Sequence, residues 1–250
     1  MSRRRGIVIA TYNTEAVIIG VKNWGEADKM ITLLSPTEGK INATAFGCRR
    51  PKSALAGALQ LFNVVDIQLS RGDRIDTVRT CTMIHHHKEI ISDFNATAYA
   101  AFVAELVDNL SIESYPQPDL YHQLRLILTN FGKRNPRLVA LAAALQILEK
   151  SGMQMSFNYC VRSGQFIEGN AFFNVEDGGA VSPECRQNGD IPYSEEVREF
   201  ILLLKNLDWE LDNKFKISGK ILMEAERIML MYLHSVVEQP MKSLEFLSQL

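Results

Sequence analysis

Through the first 85 residues the apolar positions recur with a period close to two. Residues 15–24 (EAVIIGVKNW), 29–34 (KMITLL), 40–46 (KINATAF), 61–71 (LFNVVDIQLSR) and 74–84 (RIDTVRTCTMI) are rich in β-branched side chains and alternate in places, the pattern of strands with one buried face. Turn chemistry separates them at Trp24-Gly25-Glu26-Ala27-Asp28, Ser35-Pro36-Thr37-Glu38-Gly39 and Ser70-Arg71-Gly72-Asp73, the last predicting a tight hairpin. Five short strands, with a longer connection between the third and fourth, predict a small barrel of the oligonucleotide-binding (OB) type. The strand count alone also suits an SH3-like barrel.

From Asp93 onward the period changes to 3.6 residues. Tyr99, Val103, Leu106 and Leu110 form one stripe, Leu138, Leu141, Leu145 and Leu148 a second, and Ile221, Ala225, Ile228 and Tyr232 a third. Such stripes are core-facing helix surfaces rather than cofactor boxes. Pro116 and Pro118 separate a first helix from a second over 119–131, and Asn135-Pro136 opens a third that Gly152 ends. Helices resume over 194–207 and 218–236. Between them, residues 157–192 break the helical pattern with glycines and turn residues and read as an irregular insert. The expected fold class is therefore α+β. A five-stranded OB-type barrel over 1–85 precedes an α-helical domain over 86–250, into which a zinc-ribbon-like insert is set at 157–192.

Composition narrows the class further. Hydrophobic residues make up 46% and charged residues 22% of the 250, as in ordinary globular proteins. No apolar run approaches the ~20 residues of a membrane span. The start, Met1-Ser2-Arg3-Arg4-Arg5-Gly6, resembles the charged end of an export signal, but the apolar run after it is too short, so a cytoplasmic protein is expected. Net charge is −2, yet residues 1–90 hold 13 Lys+Arg against 8 Asp+Glu and residues 91–250 hold 14 against 21. That asymmetry points to an anionic partner for the first part. Cys48, Cys81, Cys160 and Cys185 are scattered, as reduced thiols are in a reducing compartment.

The densest cationic feature is Gly47-Cys48-Arg49-Arg50-Pro51-Lys52-Ser53, set between two strand-like runs. Proline keeps it out of helix, so Arg49, Arg50 and Lys52 sit on a semi-rigid turn, the footprint of a nucleic-acid-binding loop. The plainer reading is a solvated surface loop. Cys160-Val161-Arg162-Ser163 and Cys185-Arg186-Gln187-Asn188 each keep the first cysteine of a C-x2-C half-site and lack the second. Ser163 and Asn188 are poor zinc ligands, so no metal or other cofactor is expected there. His85, His86 and His87 lie in a row on an extended segment, where at most two share a face, and read as an exposed strand end. The sequence holds no GxxxxGK[ST], GxGxxG or GxSxG. Glu224 with Glu226, and Glu195 with Glu196, read as solvated helix faces. No enzyme is expected.

In its motifs the chain resembles the bacterial recombination mediator family RecO. Thr14-Glu15-Ala16-Val17, Trp24-Gly25-Glu26-Ala27-Asp28, Thr32-Leu33-Leu34, the 47–53 loop and Gly57-Ala58-Leu59-Gln60-Leu61-Phe62 follow the family's order and spacing. Arg227, Tyr232-Leu233 and Lys242-Ser243-Leu244-Glu245-Phe246-Leu247 match its ending, so the likeness spans nearly the whole chain. The resemblance implies an OB domain and a helical domain, the latter carrying in many members a four-cysteine zinc module. Here Ser163 and Asn188 stand at the second-ligand positions, which implies an insert that persists without zinc. The resemblance further implies binding of single- and double-stranded DNA, annealing of complementary strands, partnership with RecR, and help to RecA in replacing the single-strand-binding protein SSB on gapped DNA.

On that reading Arg49, Arg50 and Lys52 are the first phosphate contacts, with Lys22, Lys29 and Lys40 as weaker ones and Arg3, Arg4 and Arg5 as a basic arm. The acidic SSB tail is expected in an apolar groove rimmed by Arg125, Lys133, Arg134 and Arg137. Two other classes compete. A metal-dependent enzyme would use the histidine run with Cys160 or Cys185, and a pure protein adaptor would act through the acidic helical half.

Overall fold

The structure is a computed structural model and describes residues 10–211, 216–237 and 240–247. The basic arm at residues 3–5 lies outside the described residues. The chain divides into two compact units, one of Met1–Lys88 with Leu110–Leu128, the other of Glu89–Asn109 with Thr129–Leu250. Residues 110–128, read from sequence as part of the helical domain, group instead with the barrel.

In the first unit, β1 (Thr11–Trp24), β2 (Asp28–Ser35), β3 (Gly39–Ala45), β4 (Val64–Ser70) and β5 (Asp76–His85) close a barrel in the order β1-β2-β3-β5-β4. Every pairing is antiparallel except β3 with β5, which is parallel and joins Ala43 to Asp76 and Thr44 to Thr77. This is the OB-type arrangement that the period-two pattern predicted. Alternation sends Ala16, Ile18, Ile31, Leu33, Ile41, Ala43, Val65, Ile67, Leu69 and Val78 into one dry core. The turn before β5 is looser than a two-residue hairpin. It spans residues 71–75 and is pinned by the Gly72 amide, which donates to Asp76 Oδ1 at 2.9 Å.

The segment 110–128 is anchored to the barrel at two places. Ser114 N–H donates to the Lys40 carbonyl at 3.1 Å, and Asn42 Nδ2 donates to Glu113 Oε1 at 2.7 Å. Gly39, at φ +70, lets this approach happen, because a Cβ there would stand 2.0 Å from the Tyr115 carbonyl oxygen. Most of α3 (Pro118–Phe131) follows, with Tyr121 and Arg125 both bonded to Glu15 of β1.

The second unit is helical. It contains most of α1 (Lys88–Ser92) and α2 (Phe94–Leu110), then α4 (Pro136–Lys150), α5 (Glu195–Lys205), α6 (Gly219–Val236) and α7 (Lys242–Leu247). Asn135 caps α4 by accepting from the Arg137 and Leu138 amides, and proline follows at the first turn. Residues 138–148 of α4 are all buried, as befits a helix that is apolar on every side and packed against α5 and α6. The insert, expected to be irregular, contains a three-stranded antiparallel sheet in the order β7-β6-β8, formed by β6 (Ala171–Asn174), β7 (Gly179–Val181) and β8 (Ile191–Tyr193). Strands of three and four residues are too short to declare a period. Among the described residues no helix is long and apolar enough to cross a membrane.

Candidate nucleic-acid interface

Directly opposed residues of an antiparallel pair project from the same face. The register places Lys22 opposite Met30 and Met30 opposite Thr44, a row across the outside of β1, β2 and β3. The inward neighbours Ile31, Ala43 and Ala45 are buried, which fixes the sense of the alternation. One step further along, Trp24 lies opposite Asp28, and Phe46 follows Ala45, the partner of Lys29. Trp24 is 53% and Phe46 62% exposed. Two large aromatic rings thus stand in solvent at the same end of three adjacent strands.

The basic loop leaves from this rim. Gly47 turns the chain with φ +65, where any side chain would be strained, and Cys48 plugs back into the barrel core. The loop is stitched to the β1–β2 turn by three bonds. The Gly47 amide donates to Asp28 Oδ1 at 2.7 Å, the Arg49 amide to the Ala27 carbonyl at 2.8 Å, and Arg49 Nη1 to the Gly25 carbonyl at 3.3 Å. Successive turns, from the Arg50 amide to the Gly47 carbonyl at 3.1 Å and from the Ser53 amide to the Arg50 carbonyl at 3.0 Å, stiffen the remainder. Arg49, Arg50 and Lys52 are all exposed. The rim therefore combines cations on a stitched backbone with bare aromatic faces, the two components of a single-strand binding surface: charge for phosphates and stacking for bases.

Of the weaker sequence candidates, Lys22 joins this face, two residues before Trp24 and exposed. Lys29 does not present its charge outward, since its Nζ donates to the Leu59 carbonyl at 3.0 Å and holds the loop closed. Lys40 is the second residue of β3, at the opposite end of the strand from the loop, where its backbone bridges to Glu113. Trp24 and Phe46 were not nominated from sequence. The signal for them was their place at motifs: Trp24 opens Trp24-Gly25-Glu26-Ala27-Asp28, two residues after Lys22, and Phe46 immediately precedes Gly47. Which rings share a face depends on register.

The four expected rim cations for an acidic tail fall differently. Arg125, in the first unit, pairs with Glu15 at 2.7 Å. In the second unit, Arg137 pairs with Glu226, its Nε reaching Oε2 at 2.7 Å, and Arg134 donates to the Leu211 carbonyl. Tyr99 adds its hydroxyl to Glu226 at 3.4 Å, and burial together with that carboxylate holds its pKa above the ordinary value. Lys133 is exposed. Three of the four charges are therefore engaged within the fold.

The histidine run is an exposed strand end only in part: His85 and His86 are exposed while His87 is buried. The rings of His85 and His87 lie 4.5 Å apart, and His86 Nδ1 is 2.7 Å from Asn63 Oδ1. Among the described residues, no three His, Cys, Asp or Glu side chains are grouped so as to hold a metal ion. Cys160 is buried in the insert and receives the Ser182 amide at 3.4 Å. Burial alone would raise its pKa, but hydrogen bonds from the Ser163 hydroxyl and from the Ser182, Ser163 and Arg162 amides outweigh it and bring the thiol down to about 6.

Comparison with known proteins agrees with this architecture. Residues 3–87 match the family described as Recombination protein O N terminal, and residues 91–245 match Recombination protein O C terminal. The chain is 32% identical over 249 residues to a protein of Symbiobacterium thermophilum named DNA repair protein RecO, covering 97% of this chain and 98% of that one. A protein of the same name from Dehalococcoides mccartyi is 30% identical over 243 residues, covering 96% of each chain. Another from Bacillus velezensis is 28% identical over 244 residues, covering 94% of this chain and 93% of that one.

Proposed function

The chain belongs to the RecO family of DNA repair and recombination proteins, and we propose that it is a non-enzymatic recombination mediator working on DNA in the cytoplasm. It binds single- and double-stranded DNA at the barrel rim, anneals complementary strands and, with RecR, helps RecA replace SSB on gapped DNA. The observation that carries this reading is the rim itself. Arg49, Arg50 and Lys52 stand on a loop stitched to the β1–β2 turn, and Trp24 and Phe46 are exposed beside it. Phosphate neutralisation releases counterions whatever the base sequence, which suits a factor that acts at any gap. Annealing asks only that repulsion between two strands be suppressed, and a cationic surface does this without chemistry.

Capture of the acidic SSB tail on the helical domain belongs to the same reading. Its cationic contribution falls chiefly to Lys133, given the internal partners of Arg125, Arg134 and Arg137. The deciding experiment for DNA is a salt series with a fluorescent single-stranded oligonucleotide, comparing the native chain with an Arg49/Arg50/Lys52→Ala variant. Each lost phosphate contact flattens the log–log salt slope by ~0.7, so three remove about 2. An unchanged slope moves the DNA site off the barrel loop. Absence of binding by both proteins favours an adaptor working through the acidic helical half.

A further inference from the structure

The two half-sites of the insert, 160–163 and 185–188, occupy the places where the family resemblance implies four zinc thiolates. Their chemistry does not suit the metal. A structural zinc ion takes four sulfur or nitrogen ligands in a tetrahedron. Here the first-ligand position holds the Cys160 sulfur, but the second holds Ser163, a neutral hydroxyl and a poor zinc ligand. The Ser182 amide turns toward the same sulfur. The sulfur thus already has a protein donor. A guanidinium, that of Arg162, stands two residues away in the same half-site, and a second cation beside it is disfavoured.

That guanidinium makes the connection a metal would make. Arg162 grips Asp190 as a fork, Nη1 to Oδ2 at 2.7 Å and Nη2 to Oδ1 at 3.0 Å. Nη1 also donates to the Cys185 carbonyl at 2.8 Å, and Nε to Asp177 Oδ2 at 3.0 Å. Asp190 has a side chain of zero exposure and Arg162 one of 18%. The carboxylate accepts two further bonds, from Asn174 Nδ2 at 2.8 Å and the Gln187 amide at 2.7 Å. One side chain therefore ties the first half-site to the second and to the β6–β7 hairpin. A buried ion pair repays its desolvation only when its geometry is good and its remaining donors and acceptors are met. Both conditions hold here.

We propose that the Arg162–Asp190 pair is the cross-link of this insert, standing in place of a bound metal, so that the insert reaches and keeps its fold without one. The test uses the full chain, dialysed against EDTA and then given one equivalent of zinc. Bound zinc is measured after gel filtration, and amide hydrogen exchange is followed over residues 171–181. The expected result is no stoichiometric zinc and the same exchange protection with EDTA as with zinc. Arg162→Met and Asp190→Asn should each speed exchange in that segment on the order of a hundredfold, because the first leaves the buried Asp190 carboxylate without its cation and the second removes the charge that the Arg162 fork grips, leaving the guanidinium only the Asp177 carboxylate. Two results overturn the proposal: stoichiometric zinc that Cys160→Ala abolishes, or exchange that neither substitution alters. The comparison of EDTA with zinc in the unaltered chain decides the matter even where a variant does not fold.

Discussion

The carboxylate of Asp28 accepts the Gly47 amide at 2.7 Å, so an acidic residue fixes the start of the most basic loop in the barrel. Asp28→Ala removes a negative charge from the neighbourhood of Arg49 and Arg50, which by long-range electrostatics alone would favour DNA. The bond argues the other way. Freeing the loop restores the entropy that binding must then remove, roughly 0.5–1.5 kcal/mol per immobilised group. Asp28→Ala should therefore weaken single-strand binding by up to about tenfold while leaving the salt slope unaltered. Fluorescence anisotropy across a salt series checks both parts. Tighter binding would show that Asp28 acts only as a charge.

Trp24→Ala and Phe46→Ala should each weaken single-strand binding by about 1–3 kcal/mol without changing the salt slope, since stacking releases no counterions. Duplex DNA, whose bases are already stacked, should be affected less. Trp24 also supplies its own probe. Of the two tryptophans, Trp209 is buried with its Nε1 donating to Gln146 Oε1 at 2.7 Å, whereas Trp24 is open to solvent. Quenching of intrinsic fluorescence by oligonucleotide should occur in the native chain and disappear in Trp24→Phe.

The pair of Arg137 and Glu226 makes a prediction about stability rather than binding. Its side chains are 35% and 12% exposed, so solvent screens it in part. Glu226→Gln should cost about 1–2 kcal/mol, with a fall in melting temperature of about 3–6 °C and no change in DNA affinity. Calorimetry beside the anisotropy assay tests this. A loss of DNA binding with unchanged melting would give the Arg137–Glu226 pair a part in DNA contact.

Thiol chemistry should follow burial. Burial, and then the charge of Asp66, push the Cys81 thiol up to about 12. Burial likewise raises Cys48, which has zero exposure. A raised pKa leaves the thiol protonated at every pH well below it, so little nucleophilic thiolate exists at pH 8. In the folded protein Cys48 and Cys81 should resist alkylation at that pH, whereas in denaturant all four cysteines should react. Mass spectrometry over a time course distinguishes the two, and fast labelling of Cys48 in native protein would contradict its place in the barrel core.

Much of this molecule was legible from local pattern. Five period-two runs announced the five barrel strands, and 3.6-residue stripes placed α2, α4 and α6, because alternation and helical period are consequences of backbone geometry within a few neighbouring residues. The basic loop was equally visible, since cations and proline adjacent in sequence must remain adjacent in space. What tertiary structure decided lies across the chain. Trp24 and Phe46 share a rim only through strand register, and Lys29 is turned to the Leu59 carbonyl by a loop thirty residues on. Arg125 meets Glu15 across 110 residues, and Arg162 meets Asp190 across 28. Composition could mark those four as charged but not as partnered. Pairing depends on which distant segments the core brings together, and that is settled by packing rather than by any local rule.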